Sequence, residues 1–189
     1  MITRDSKDNE DVCCRYRKEG NAFGALRKSL FSNPSITYET KGAAYCYLIL
    51  PILLYGAESW CLTEKLFNQL RTFYHGCARS MHRVNRRHVY LHRISSNELL
   101  ENLNILSIDV YITRRQLSWF GHVSRMSFDR IPRKLLSSWV KSRRPKGAPE
   151  FTFSRGMYKA LRRANICKDD WFVLAKDQFD WCKMINSFT

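Results

Sequence analysis

The sequence is short of acid. Only 17 Asp and Glu stand against 32 Lys and Arg, which leaves a formal charge of +15 at pH 7 and a pI near 9.8. A surplus of that size points to an anionic partner, either nucleic acid or an acidic membrane surface. Long apolar runs are missing too. The most apolar stretch, Ala43 to Ala57, is interrupted by Pro51 and Gly56 and falls short of the ~20 apolar residues a spanning helix needs, so it reads as a buried core helix. The start, Met1 to Asp8, is polar and lacks an apolar leader core. Seven cysteines include no C-x-x-C pair, so reduced thiols in an intracellular protein are the expectation.

Catalytic signatures are absent as well. There is no G-x-x-x-x-G-K-[ST], no G-x-G-x-x-G, no H-E-x-x-H and no G-x-S-x-G. Asp169 and Asp170 follow Lys168 and open a helical stretch, which suits helix capping better than a two-metal site. Cys61, His75, Cys77 and His82 lack the close paired spacing of a zinc site, and Cys77 falls on an apolar stripe. The reading therefore expects no catalytic residue, no metal and no cofactor.

What is present is enough apolar material for a core: 44% hydrophobic and 13% aromatic residues in 189, fitting one domain or two small ones. The periodicity is helical nearly throughout. Strand-like alternation does not persist and no repeat is visible. A first helix over 11–31 would bury Val12, Tyr16, Phe23, Leu26 and Leu30. Asn33-Pro34 breaks it, and a second helix runs from Ser35 or Thr37 through Tyr55, with Pro51 kinking it or marking a boundary. Thr63 caps a third, with Leu66, Leu70, Phe73, Cys77, Met81 and Val84 as its core stripe. A basic loop follows, with Arg83, Arg86, Arg87, His88, His92 and Arg93. Ser95-x-x-Glu98 is a capping box for a short helix over 97–103. Shorter helices are expected over 131–140, 156–164 and 170–185, the last with Trp171, Leu174 and Trp181 inward. A loop is expected over 142–154.

The positive charge is concentrated. Residues 79–146 hold 15 Lys/Arg and 4 Asp/Glu, whereas the flanking segments are nearly balanced. Within that stretch, a helix over 107–126 sets Ile108, Ile112, Trp119, Val123 and Met126 on one side. Arg114, Ser118, Gly121 and Arg125 form a strip well away from it, while Arg115 and His122 flank the apolar stripe. That strip would suit phosphate: guanidinium donors, a hydroxyl, and a glycine that admits a close backbone. A solvated polar side is the equal alternative. The expected nucleic-acid contacts are Arg83, Arg86, Arg87, Arg114, Arg115, His122, Arg125, Arg130, Arg133, Lys134, Arg143, Arg144 and Lys146. Tyr90, Phe120 and Trp119 could stack on bases, although Trp119 fits the core better. Six neutralised phosphates would give a log–log salt slope near −5, about 0.9 per phosphate. Lys141-x-Arg143-Arg144-x-Lys146 also fits a nuclear signal.

Several phrases occur together in a familiar order. Leu53-Leu54-Tyr55-Gly56-Ala57-Glu58-Ser59-Trp60 followed by Leu62-Thr63, then Ser95-Ser96-Asn97-Glu98-Leu99-Leu100, then Arg114 to Met126 (RRQLSWFGHVSRM) make up the set. Ala22 to Lys28 precedes them, and the pair Trp171 and Trp181 follows. The set resembles the region beyond the polymerase core in non-LTR (LINE-type) retrotransposon reverse transcriptases, over residues 9 to 185. The resemblance implies a mainly α chain, a thumb-like helical bundle followed by shorter helices and a basic loop. It divides the chain into a tail (1–10), a thumb-like bundle (11–93) and a basic helical extension (94–189). Fingers, palm with its catalytic aspartates, and endonuclease would be missing, so the chain alone would not be an enzyme. Its implied partners are RNA or DNA backbone and the missing polymerase core; no membrane partner is expected, because no helical stretch pairs a wholly apolar face with a Lys-rich one. After Gly147 the likeness departs: Ala148 to Phe153 is not basic, where the family has a second basic run. The alternative is a helical remnant of a truncated element that binds a protein or keeps no activity.

Overall fold

The computed structural model describes residues 9–137 and 153–188, and every regular element among them is a helix. The chain is mainly α, as the periodicity predicts. It divides into two compact units: residues up to Gly56 with Leu62–Tyr111, and Ala57–Cys61 with Ile112–Thr189.

In the first unit, α1 (Asn9–Leu26) ends in a π-helical turn, Arg27–Phe31, closed by Ser32 N–H donating to the Arg27 carbonyl at 2.7 Å. The wider turn shifts the phase of the stripe. Phe31, not Leu30, becomes fully buried and stacks on Phe23 at 4.5 Å. Tyr16 also departs from the expected core: it is 45% exposed. Thr37 caps α2 (Tyr38–Ala44) by accepting from the Thr40 N–H. A second π turn, Tyr45–Ile49, then precedes α3 (Leu50–Leu53). Pro51 lies in the first turn of α3, where its missing N–H costs nothing. Pro51 thus stands at a boundary between the π turn and a new helical segment.

Thr63 caps α4 (Glu64–Met81) as expected, its hydroxyl accepting from Leu66 N–H. Leu66, Phe67, Leu70, Tyr74, Cys77, Ala78 and Met81 are buried; Phe73 and Val84 are only half-buried. The expected basic loop holds a short helix, α5 (Arg86–Leu91), capped by Asn85. Ser95 caps α6 (Ser96–Asn102) through Asn97 N–H rather than through the residue a capping box would use.

The sequence divides at 93/94, but the structure divides inside α7 (Ile108–Arg125), after Tyr111. The reason is visible in three ties. Arg71 grips Asp109 at 2.6–3.1 Å. The Tyr74 hydroxyl donates to the Leu106 carbonyl at 2.7 Å. Gly42 lies so close to Leu103 that an added Cβ would sit 1.9 Å from that residue's carbonyl oxygen.

The second unit builds its core from α7, α9 (Phe153–Arg163), α10 (Trp171–Leu174) and α11 (Gln178–Ser187): Leu117, Phe120, Leu161, Trp171, Trp181 and Ile185 are buried together. α8 (Ile131–Ser137) supplies Leu136 at the edge. The expected helix over 170–185 is two helices, because residues 175–177 break it, and Leu174 is exposed. Asp170 precedes α10 but makes no side-chain cap, contrary to the capping reading. Phe153 and Ser154, expected in a loop, begin α9; the rest of that loop, like residues 1–8 of the tail, lies outside the described residues. No helix among the described residues is long and apolar enough to cross a membrane.

Candidate nucleic-acid interface

The cations expected on α7 are engaged inside the second unit. Arg114 donates to the carbonyls of Asn186 and Phe188 at 2.7–3.0 Å and so satisfies the open end of α11. Arg125 does the same for Ala175, the residue that closes α10, at 2.7 Å. Arg115 pairs with Glu58 at 3.0 Å, and its neighbour Gln116 donates to the Trp60 carbonyl at 2.9 Å. Those contacts tie the short turn at 57–61 into this unit.

Gly121 corrects the phosphate-strip reading most sharply. It is buried, and an added Cβ would stand 2.2 Å from Nε1 of Trp181. The close approach that the glycine admits is an indole, whose N–H donates to the Leu117 carbonyl at 3.0 Å. Arg133 is also corrected. It is 4% exposed, with its guanidinium 4.4 Å from the Phe172 ring centre and 4.9 Å from that of Phe128. A cation sandwiched between rings stabilises packing and is not offered to a ligand. Phe120 is buried and Trp119 half-buried against the core, so neither is a free stacking platform. His122, Arg130 and Lys134 are exposed in this unit. Arg143, Arg144 and Lys146 lie outside the described residues, as does the nuclear-signal run they belong to.

The first unit keeps its cations outward. α5 has no buried residue; Arg83, Arg86, Arg87, His88, His92 and Arg93 are exposed on and around it, and Tyr90 is 83% exposed. No Asp or Glu occurs between Glu64 and Glu98. Among the described residues, none of Arg83, Arg86, Arg87 and Arg93 makes an ion pair. The crowding of like charge registers nearby. Burial, with Arg86 beside it, holds Arg79 below the ordinary arginine value, and burial with Arg83 does the same to Lys41.

Backbone geometry sets two of these arginines apart. Arg83 follows α4 with φ 60°, and Arg93 follows α5 with φ 51°. Each closes its helix by the same pair of bonds: Arg83 N–H to Ser80 and Val84 N–H to Arg79, then Arg93 N–H to Tyr90 and Ile94 N–H to Val89. Glycine or asparagine is favoured at that left-handed position, and asparagine fills it after α6 and α9, at Asn104 and Asn165. An arginine there costs about 1 kcal/mol. Such local strain clusters where a side chain serves a ligand.

Arg93 joins this exposed basic cluster although it is not among the expected contacts. Its signal was the carboxylate-free run from 65 to 97; its left-handed backbone has no signature in an arginine. The hypothetical zinc residues do not form a site. Cys77 is buried, His82 Nε2 is 2.9 Å from the Leu99 carbonyl oxygen, and no metal-binding group of His, Cys, Asp or Glu gathers among the described residues.

Against known proteins, the chain is similar to an uncharacterized transposon-derived protein of Caenorhabditis elegans, 23% identical over 183 residues. The match takes in 92% of this chain but 64% of that protein, so the chain spans under two thirds of the relative's length. No protein-family model and no solved structure matches.

Proposed function

We propose that this chain is a nucleic-acid-binding segment derived from a non-LTR retrotransposon reverse transcriptase, non-catalytic by itself, with the face around α5 as its phosphate contact. The likeness to a transposon-derived protein supports the origin, and the phrases from Leu53 to Met126 support the finer family. One observation carries the binding: four exposed arginines, two of them held in left-handed backbone, none of them in an ion pair among the described residues. Guanidinium groups so placed displace counterions from a phosphate backbone, fix its position and read little sequence. The remainder of a polymerase would be the natural covalent or docked neighbour.

Binding to a duplex followed against salt tests this. Four neutralised phosphates give a slope of about −3.6 in log K against log salt, shallower than the six-contact expectation. Reversing Arg87 and Arg93 to glutamate should abolish roughly half of that slope. Affinity indifferent to salt, or no binding at all, would sink the reading. Primer extension with magnesium should incorporate nothing, and incorporation by the purified chain would overturn the non-catalytic assignment.

A second reading, a helical segment that docks a protein, draws on one feature. Tyr47, Leu48 and Tyr55 are 81%, 54% and 64% exposed, on the apolar stretch expected to be core.

A further inference from the structure

Between α1 and α4, within the first unit, runs an open groove of about 1040 Å³. Three cations, Arg27, Lys65 and Arg86, line it, and among the described residues no Asp or Glu does. Three rings line it: Phe23, buried, then Tyr16, 45% exposed, and Phe73, half-buried, the last two with centroids 4.2 Å apart and planes tilted by 55°. The floor is kept low by Gly20 and Gly76. Along α4 the groove extends from Lys65 to Ser80, about 22 Å at 1.5 Å per residue.

This groove differs from the α5 face in kind. The α5 face has no buried residue and offers cations that suit the outside of a backbone. A groove with rings in its wall offers something only to bases that are free to leave a stack. A duplex keeps its bases inside and presents phosphate alone, whereas a single strand can lay bases on aromatic faces while its phosphates meet cations at the rim. Polar side chains of Asn68, Gln69 and Thr72 also line the groove and would serve base edges or sugar hydroxyls. The shared cation, Arg86, belongs to both surfaces, so a strand in the groove can leave it directly onto the α5 face.

We infer that the α1–α4 groove is a binding site for single-stranded nucleic acid, with Tyr16 and Phe73 as its stacking platform and Arg27, Lys65 and Arg86 as its phosphate contacts. The inference rests on the nucleic-acid reading above and adds a second site to it. The charge of the rim selects this occupant over an apolar peptide, which would need acidic residues of its own to meet the cations.

The test uses the full chain, a labelled oligothymidylate of about 12 nucleotides and a labelled blunt hairpin duplex. Gly20→Leu should narrow the groove without adding a stacking ring or disturbing the core, since an added Cβ there meets nothing within 4 Å. Tyr16→Leu removes the platform at an exposed position. Each should weaken oligothymidylate binding by about tenfold while hairpin affinity stays within about twofold. Helical circular dichroism of each variant checks the fold, and because the two substitutions act at different atoms, misfolding of one leaves the other decisive. Wild-type affinity for oligothymidylate in Gly20→Leu would overturn the site and leave the groove to a protein ligand. Equal loss on both probes would overturn its single-strand character. Binding of the hairpin but not of oligothymidylate by the wild type would reject the groove alone. Failure to bind either probe would reject both proposals.

Discussion

Glu19 is fully buried, its Oε1 hydrogen-bonded to the Tyr45 hydroxyl, and its Oε2 has no hydrogen-bond partner among the described residues. Burial raises its carboxyl to about 8, only partly countered by that bond, and raises the Tyr45 phenol well above its usual value. In the unfolded chain the same carboxyl titrates near 4.5. Between those two values the folded state holds a proton that the unfolded state has released. Stability therefore falls as pH rises across that window, by about 1.4 kcal/mol per pH unit at most. Glu19→Gln keeps an acceptor for Tyr45 and removes the titration. Denaturant melts at pH 5 and pH 8 should then differ much less than in the wild type, and an unchanged pH dependence would exclude Glu19 as its source. The same scale separates stability from binding at Arg93. Arg93→Gly should stabilise the first unit by about 1 kcal/mol by relieving the left-handed backbone, yet weaken duplex binding. A variant neither stabilised nor weakened would remove the argument that this arginine is retained for a ligand.

At the scale of elements, α7 shows where the sequence is legible and where it is not. Its extent follows from periodicity to within a residue at each end, as the start of α4 follows from Thr63. The fate of its arginines does not. Arg114 and Arg125 look free on a helical wheel, but they satisfy carbonyls more than fifty positions away in the first case and exactly where α10 stops in the second. Nothing local encodes the position of another helix's end. The π turns at 27–31 and 45–49 are similarly hidden, since each is set by which ring can reach the core rather than by propensity. Glycine is ambiguous for the same reason. Gly121 admits an indole and Gly20 faces open space, although both sit within helices. Gly121→Ala should thus cost about 1–3 kcal/mol through overpacking, while Gly20→Ala should gain up to about 1 kcal/mol in helix propensity. Thermal melts of the two variants moving the same way would contradict this account of α1 and α7.

For the molecule as a whole, the division into two units makes an optical separation possible. All the tryptophans among the described residues, Trp60, Trp119, Trp171 and Trp181, fall within the second unit. The first unit's core relies instead on Phe23, Phe31, Tyr45 and Tyr74, packed at centroid distances of 4.5–6.3 Å. Tryptophan emission therefore reports the second unit, and far-ultraviolet circular dichroism reports both. Gly42→Ala drives a Cβ into the Leu103 carbonyl and should cost about 3 kcal/mol, lowering the first unit's melting point by roughly 4–8 °C per kcal/mol for a unit of this size. The dichroism trace should broaden and shift downward while the tryptophan transition holds. Gly121→Ala should do the reverse, moving the emission transition and leaving the earlier part of the dichroism trace in place. Since α7 contributes to both units, the outcome measures how far that shared helix couples them. A tryptophan transition that follows Gly42→Ala degree for degree would mean the two cores melt as one, and binding changes in variants of either unit would then have to be read against the stability of the entire chain.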